Sequence, residues 1–343
     1  MNSSASIATA PAPSSLRVAR SNPPRIFIQS LDQGYLAALR AGFEWTGFAR
    51  ELSSETRIAI KPNLTFPVFR KGVMTNPEAL EALILYLKDY TSHITICESD
   101  SGGYNRFSMD EVFARTGINE FARRHGVRVM NLSDAPSREI HVPAGLRRLR
   151  VPLPTMLLDE TDLFITMPVP KVHANAVVSL SMKNQWGIIQ QPSLRLKLHP
   201  HFKEVIYEVN RALPRSLAVF DGKYGLNRNG PMRGDHVDLN WLLLSDNFYV
   251  SDALVAGLLG FDWREVPHLR YALRKENIAS IANVECNTGY RAFQRQPFFL
   301  KRDWTDYPGL FTFHSRLMAY LGYESPLAKP LHWLLYRFRE PFY

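Results

Sequence analysis

The sequence predicts an α/β protein: a mostly parallel sheet with helices on both faces, a small β excursion and a helical, aromatic-rich C-terminal appendage. Three observations carry this. Short apolar runs alternate with longer segments of helical periodicity. The 343 residues are 45% hydrophobic and 12% aromatic, enough for one large domain or a domain with a subdomain. Charged residues make up 21%, which excludes wholesale disorder.

Residues 1–24 are rich in Ser, Ala and Pro, hold no acid and lack an apolar signal core, which predicts a disordered tail, with an organellar transit peptide as the alternative. RIFIQ, Arg25 to Gln29, opens the folded region as a strand. Gln33 to Phe48 places Tyr35, Leu36, Leu39, Phe43 and Trp45 near one helical face. RIAI, Arg57 to Ile60, is a second strand and ends at Lys61-Pro62-Asn63. Asn76 caps the next helix and Pro77 suits its first turn. A third strand, His93 to Cys97, runs into an acidic, glycine-bearing loop with Glu98, Asp100, Gly102 and Gly103.

The alternation continues. Residues 109–125 read as helical, Val127 to Met130 as a strand, and 138–152 as the β excursion. DLFITM, Asp162 to Met167, feeds the segment PVPKVHANAVVSLSMKNQWG, Pro168 to Gly187. Phe202 to Leu213 is amphipathic, and Leu217 to Phe220 is a strand that ends at Asp221-Gly222. Trp241 to Leu244 follows as a strand, with a helix near 252–259. The expected division is a tail to 24, an α/β domain over 25–297 and a helical appendage over 298–343.

In such sheets ligands gather beyond the carboxyl ends of the strands, where Lys61, Asn63, Glu98, Lys171 and Asp221 all fall. Two prolines stiffen the chain ahead of Lys171 and His173, and Lys183-Asn184 follows a helix-length later. Two ammonium groups, an imidazole and an amide in one stretch suit a carboxylate or phosphate ligand. A lysine crowded by other cations also acts as a base or nucleophile when its pKa falls. Surface lysines and a helix-capping Asn184 are the plainer alternative. His199-Pro200-His201 offers an acid–base group, for which His201 is the candidate; no carboxylate stands at ligand spacing beside it, so no metal is expected. Asp221-Gly222 through Asn229-Gly230-Pro231 reads as a glycine-punctuated loop, with Gly230 lending close backbone approach. Ser245-Asp246 and Ser251-Asp252 lie near the start of a helix, where capping accounts for at least one pair and leaves Asp252 a weak site candidate.

Several classes are disfavoured. Two cysteines, Cys97 and Cys286, supply neither a four-thiolate zinc site nor an iron–sulfur site. No Walker A, GxGxxG, GxSxG or HExxH motif occurs. The net charge of +9 is scattered, which argues against nucleic acid. No apolar run reaches the roughly 18 residues of a spanning helix, and a soluble, cytoplasmic protein is expected. Aromatics and arginines interleave through 298–343, a candidate surface for a protein partner or a membrane, or else a helical segment packed on the sheet.

The order Lys61-Pro62-Asn63-Leu64, Thr75-Asn76-Pro77, Glu98-Ser99-Asp100, PVPKVHANAVVSLSMKNQWG, a histidine near 199–201, Asp221-Gly222 and Ser251-Asp252-Ala253 resembles the prokaryotic domain of unknown function 362 family. The resemblance covers about residues 55–262 and implies site positions at Lys61, Asn63, Lys171, His173, Lys183, Asn184 and Asp221. Many members adjoin a ferredoxin-like cysteine-rich segment, from which this chain departs, so no cluster is implied. The expected function is an enzyme that binds an anionic small molecule, with Lys171, His173, His201 and Asp221 as catalytic candidates. Lys61, Asn63, Glu98, Lys183, Asn184 and Gly230 are the candidate binding residues. The alternative is a non-catalytic binding or partner module. Cofactor and oligomeric state stay unassigned.

Overall fold

Strands buried on both faces carry unbroken apolar runs, and that constraint organises this chain. The computed structural model describes residues 23–101, 107–335, 337 and 338. Gly102, Gly103 and nearly all of the expected tail therefore lie outside the described residues. The strands are β1 (Arg25–Ser30), β2 (Ile58–Pro62), β3 (Ile94–Glu98), β4 (Arg128–Asn131), the hairpin β5 (Ser137–Ala144) and β6 (Arg147–Pro154), and β7 (Leu163–Met167). The short β8 (Lys171–His173) and β9 (Val177–Ser179) follow, then the long β10 (Arg215–Asn227) and β11 (Asp235–Ser245), and last β12 (Glu285–Cys286).

The main sheet runs in the order β12-β1-β11-β10-β7-β2-β3-β4. From β10 to β4 all neighbours are parallel, whereas β11 is antiparallel to both β10 and β1. β8 pairs with β9 and touches β10 through Lys171 and Leu226. Hairpin β5–β6 is the expected excursion.

Pleating sends alternate side chains to different cores: Ile58 and Ile60 to one, Ala59 to the other. The first core is covered by α1 (Tyr35–Thr46), α2 (Pro77–Lys88), α3 (Met109–Arg115) and α4 (Ile118–His125). On the opposite face lie α5 (Thr155–Asp159), α6 (Ser181–Asn184), α7 (Pro192–Leu198), α8 (Phe202–Ala212), α9 (Phe248–Leu258) and α10 (Pro267–Lys275). Asn76 caps α2 as its sequence predicts, accepting from the Glu78 amide at 3.0 Å. The expected helix over 109–125 is two, because Gly117 adopts φ +79° between α3 and α4.

Two expectations need correction. Only residues 228–234 of the glycine-punctuated segment form a loop before β11; its first part is strand, β10 continuing from Asp221 to Asn227. Its glycines make room for rings, since a Cβ on Gly222 would lie 2.2 Å from the Trp241 ring and one on Gly225 2.9 Å from that of Phe298. Nor do Ser251-Asp252 cap the helix near them. Asn247 caps α9, and Asp252 lies inside it.

The chain stays stitched to the domain at the expected boundary. Phe298 is buried and its amide donates to the Leu259 carbonyl at 2.8 Å. Beyond it lie α11 (Tyr307–Thr312), α12 (Arg316–Tyr323) and α13 (Ala328–Leu335). Gly222→Ala forces the Trp241 ring out of its contact with β10. It should cost about 1–3 kcal/mol, read as a lower urea midpoint at an unchanged slope.

Candidate functional site

Parallel pairing aligns the carboxyl ends of β2, β7 and β3, with Lys61 beside Thr166 and Pro62 beside Met167. A line of buried polar side chains ties these ends to the segment after β9. Asn184 Nδ2 donates to Lys61 O at 3.3 Å and to Thr166 Oγ1 at 2.8 Å. Thr166 Oγ1 donates to Gln185 Oε1 at 2.9 Å, and Gln185 Nε2 to Asn210 Oδ1 at 3.2 Å. Asp252 supports the same segment from α9, accepting from Ser181 N (2.8 Å), Ser181 Oγ (2.5 Å) and Met182 N (2.9 Å). Burial nevertheless pushes its carboxyl up to about 7.

Lys61 and Glu98 form an ion pair at 2.7 Å with side chains only 1% and 5% exposed. The backbone of Gly187 lies against it: a Cβ there would sit 2.7 Å from Glu98 Oε1 and 3.0 Å from Lys61 Nζ. Ser99 Oγ donates to the Gly187 carbonyl and closes the contact. Only glycine permits this approach, which gives Gly187 a physical reason for its place after the Lys183-Asn184 pair.

Around that pair the charge is unbalanced. Lys171, Lys183 and Arg195 lie within electrostatic reach of one another or of Lys61, and Glu98 is the carboxylate felt by both Lys171 and Arg195. Lys171 Nζ donates to Val73 O at 2.5 Å and Asn63 Oδ1 at 3.3 Å, neither of which is charged. Lys183 has no ion pair or hydrogen bond among the described residues; its ammonium lies 5.9 Å from the Phe202 ring. Burial, then repulsion from neighbouring cations, lowers both lysines to about 7. Burial also lowers Arg195 to about 10; its Nη2 donates to the Asp100 carbonyl, while its buried Nε has no partner among the described residues.

Two histidines complete the wall with opposite tautomers. His173 Nδ1 accepts from the amides of Asn175 (3.1 Å) and Ala176 (3.3 Å), which leaves the neutral ring's proton on Nε2. Burial, then Lys183, holds that imidazole well below its ordinary value. His199 instead directs Nδ1 at the Arg195 carbonyl (2.8 Å), so its Nε2 is an acceptor; burial lowers it to about 4. His173 thus presents an N–H, His199 a lone pair.

The remaining candidates fall elsewhere. Asp221 is buried, but Oδ1 accepts from Tyr35 Oη at 2.6 Å and Oδ2 from the Asn76 amide at 2.7 Å. Its carboxylate braces α1 and α2 rather than the lysines, and burial raises its pKa. His201 is the residue that precedes α8, and its neighbour His199 is the one beside His173. Gly230 locks a backbone crossing, its carbonyl accepting from Ala174 N at 2.8 Å. A cavity of about 190 Å³ lined by Leu64, Phe69, Met74 and Leu80 lies on the α1–α4 face and contains none of the lysines. The sequence flags the His199-Pro200-His201 pair but favours His201 over His199; Arg195, and His268 within electrostatic reach of His173, have no distinct signal, since their approach depends on how α7 and α10 pack.

The family model described as Domain of unknown function (DUF362) matches residues 58–257, more than half of the chain. A thylakoid-associated protein of Synechocystis sp. is 26% identical over 117 residues, which are 32% of this chain and 36% of that protein. The chain therefore aligns with little more than a third of that relative's length. A crystal structure of a Thermotoga maritima protein overlaps 56% of this chain and 52% of its own at 14% identity, with a TM-score of 0.33, too loose to carry an argument.

Gly187→Ala places a methyl against Glu98 Oε1 and Lys61 Nζ and should cost about 1–3 kcal/mol, the scale of overpacking a close-packed site, seen as a lower urea midpoint. The lysines set a pH dependence. Folded, they titrate near 7; unfolded, near 10.5, so between these limits the unfolded chain binds more protons. Their burial penalty is full below pH 7 and is relieved as pH rises towards 10. The melting temperature should therefore gain from this pair between pH 7 and 9, and Lys171→Met with Lys183→Met should remove that gain.

Proposed function

The chain belongs to the family described as Domain of unknown function (DUF362), and we propose that it is an enzyme acting on an anionic small molecule, a carboxylate or phosphate, held at the strand carboxyl ends. One observation carries this reading. Lys183 is partly buried within electrostatic reach of Lys61 and Arg195 and has no ion pair or hydrogen bond among the described residues. Partial desolvation and repulsion from these cations disfavour its charged form, and a bound anion relieves both. In this reading Lys183 and the free Arg195 Nε–H bind the anion, and the Nε2–H of His173 orients it. Lys171, about half deprotonated near neutrality, acts as base or nucleophile. Lys61 and Glu98 hold the frame.

A binding module without turnover is the second reading. What favours it is the engagement of Lys171 Nζ with Val73 O and of Asp221 with Tyr35 and Asn76, which leaves two catalytic candidates in structural contacts.

Succinate is a suitable probe, because its own ionisation is complete at neutral pH. It should raise the melting temperature of the parent chain, with an affinity that falls as pH rises through 7 to 9 and the lysines lose their protons. Lys183→Met should abolish the succinate and phosphate responses. Its unliganded form should melt higher at pH 7 by about 2 °C or more, since an unpaired charge is gone. Retention of both anion responses in Lys183→Met would overturn the proposal.

A further inference from the structure

Beyond Phe298 the chain carries apolar surface that neither core nor site uses. Contacts that anchor it include Arg302 Nε donating to Ala174 O at 2.8 Å, Phe299 N donating to Asn227 Oδ1 at 2.9 Å, the stack of Phe313 on His199 at 4.2 Å and the Lys197–Glu324 pair at 2.8 Å. What these leave outward is patterned. Trp304, Tyr307 and Phe311 follow a helical stripe, as do Leu327, Leu331 and Leu334, and all six are 52–64% exposed. Trp304 also meets the exposed Phe338 ring at 5.4 Å, so the beginning and end of the appendage share one face.

The charges on this segment are sorted. Its described acids are internally engaged: Asp303 and Asp306 cap one another, Asp303 also accepts from Asn229 at 2.8 Å, and Glu324 holds Lys197. Lys301, Arg316, Lys329 and Arg337 are exposed, and the Arg337 guanidinium lies 4.6 Å from the Trp333 ring. Exposed Trp, Tyr and Leu interleaved with free bases match the headgroup boundary of a bilayer, where aromatic rings settle and basic side chains meet lipid anions. Among the described residues no helix is long and apolar enough to cross a membrane, so the fit is to its surface. A protein partner fits less well, because interface cores are depleted in lysine and Lys301 and Lys329 belong to this exposed set.

We infer that α11–α13 dock the chain on an anionic phospholipid surface, apolar stripes at the acyl boundary and Lys301, Arg316, Lys329 and Arg337 against the headgroups. The stack of Phe313 on His199 joins this docking surface to the wall of the candidate site. The docking itself does not depend on what that site binds.

The test is co-sedimentation of the full chain with vesicles of phosphatidylcholine alone or mixed with phosphatidylglycerol. Partition should be about tenfold or more stronger on the mixed vesicles and should weaken with salt. Lys329→Glu with Arg337→Glu should lower it by about tenfold or more; Trp304→Ser with Trp333→Ser should abolish it. Each pair changes exposed side chains, so melting temperatures should match the parent. Equal partition on both vesicles, no partition on either, or full partition by both variant pairs would sink the inference. So would light scattering that shows a dimer dissolved by the tryptophan pair, which would assign this face to a second copy.

Discussion

Lys61 and Glu98 meet at 2.7 Å where β2 and β3 end, almost wholly removed from water, and the geometry around them follows from keeping that pair dry. Desolvating two ions costs several kcal/mol each, recovered only with close contact and supporting hydrogen bonds. Gly187 supplies the close packing, and Ser99 closes the contact through its bonds to Glu98 and to the Gly187 carbonyl. Asn184 takes up the Lys61 carbonyl and carries the constraint into β7 through Thr166. The short helix α6 is therefore held to the sheet by its own side chains and, from α9, by Asp252.

That scaffold explains how an excess of positive charge survives in a buried place. The buried Lys171 leans on neutral oxygens and the partly buried Lys183 lies beside an aromatic face, so neither ammonium has an ion pair among the described residues. Their lowered affinity for protons is the compromise between burial and mutual repulsion. Stability given up locally in this way is characteristic of places built for a ligand. Here the rigid strand ends around Lys61 sustain the arrangement.

The acids divide their labour differently from the lysines. Asp221 and Asp252 are both fully buried, and both have raised pKa values. Asp221 gathers Tyr35 and the first turn of α2 onto β10, and Asp252 receives the start of α6. Each takes up backbone or hydroxyl donors that burial would otherwise leave unpaired. A buried carboxylate after a strand suggests catalysis from sequence; the hydrogen-bond partners show bracing instead.

Sequence alone determined the α/β class, nearly every central strand, the Asn76 cap and the placing of Lys61 and Glu98 at strand ends and of Lys171 just after one. Those features are local: periodicity, capping chemistry and position after a strand are written in neighbouring residues. It misplaced the glycines after Phe220, because a strand glycine under a Trp241 ring looks like a turn glycine until the partner strand is present. Tertiary structure decided which histidine joins the wall, that Asp221 faces α1 and α2, and that Arg195 and His199 stand beside lysines from distant segments. The reason is that burial and like-charge crowding arise only when separate segments meet, and nothing in one segment records the electrostatic field of another.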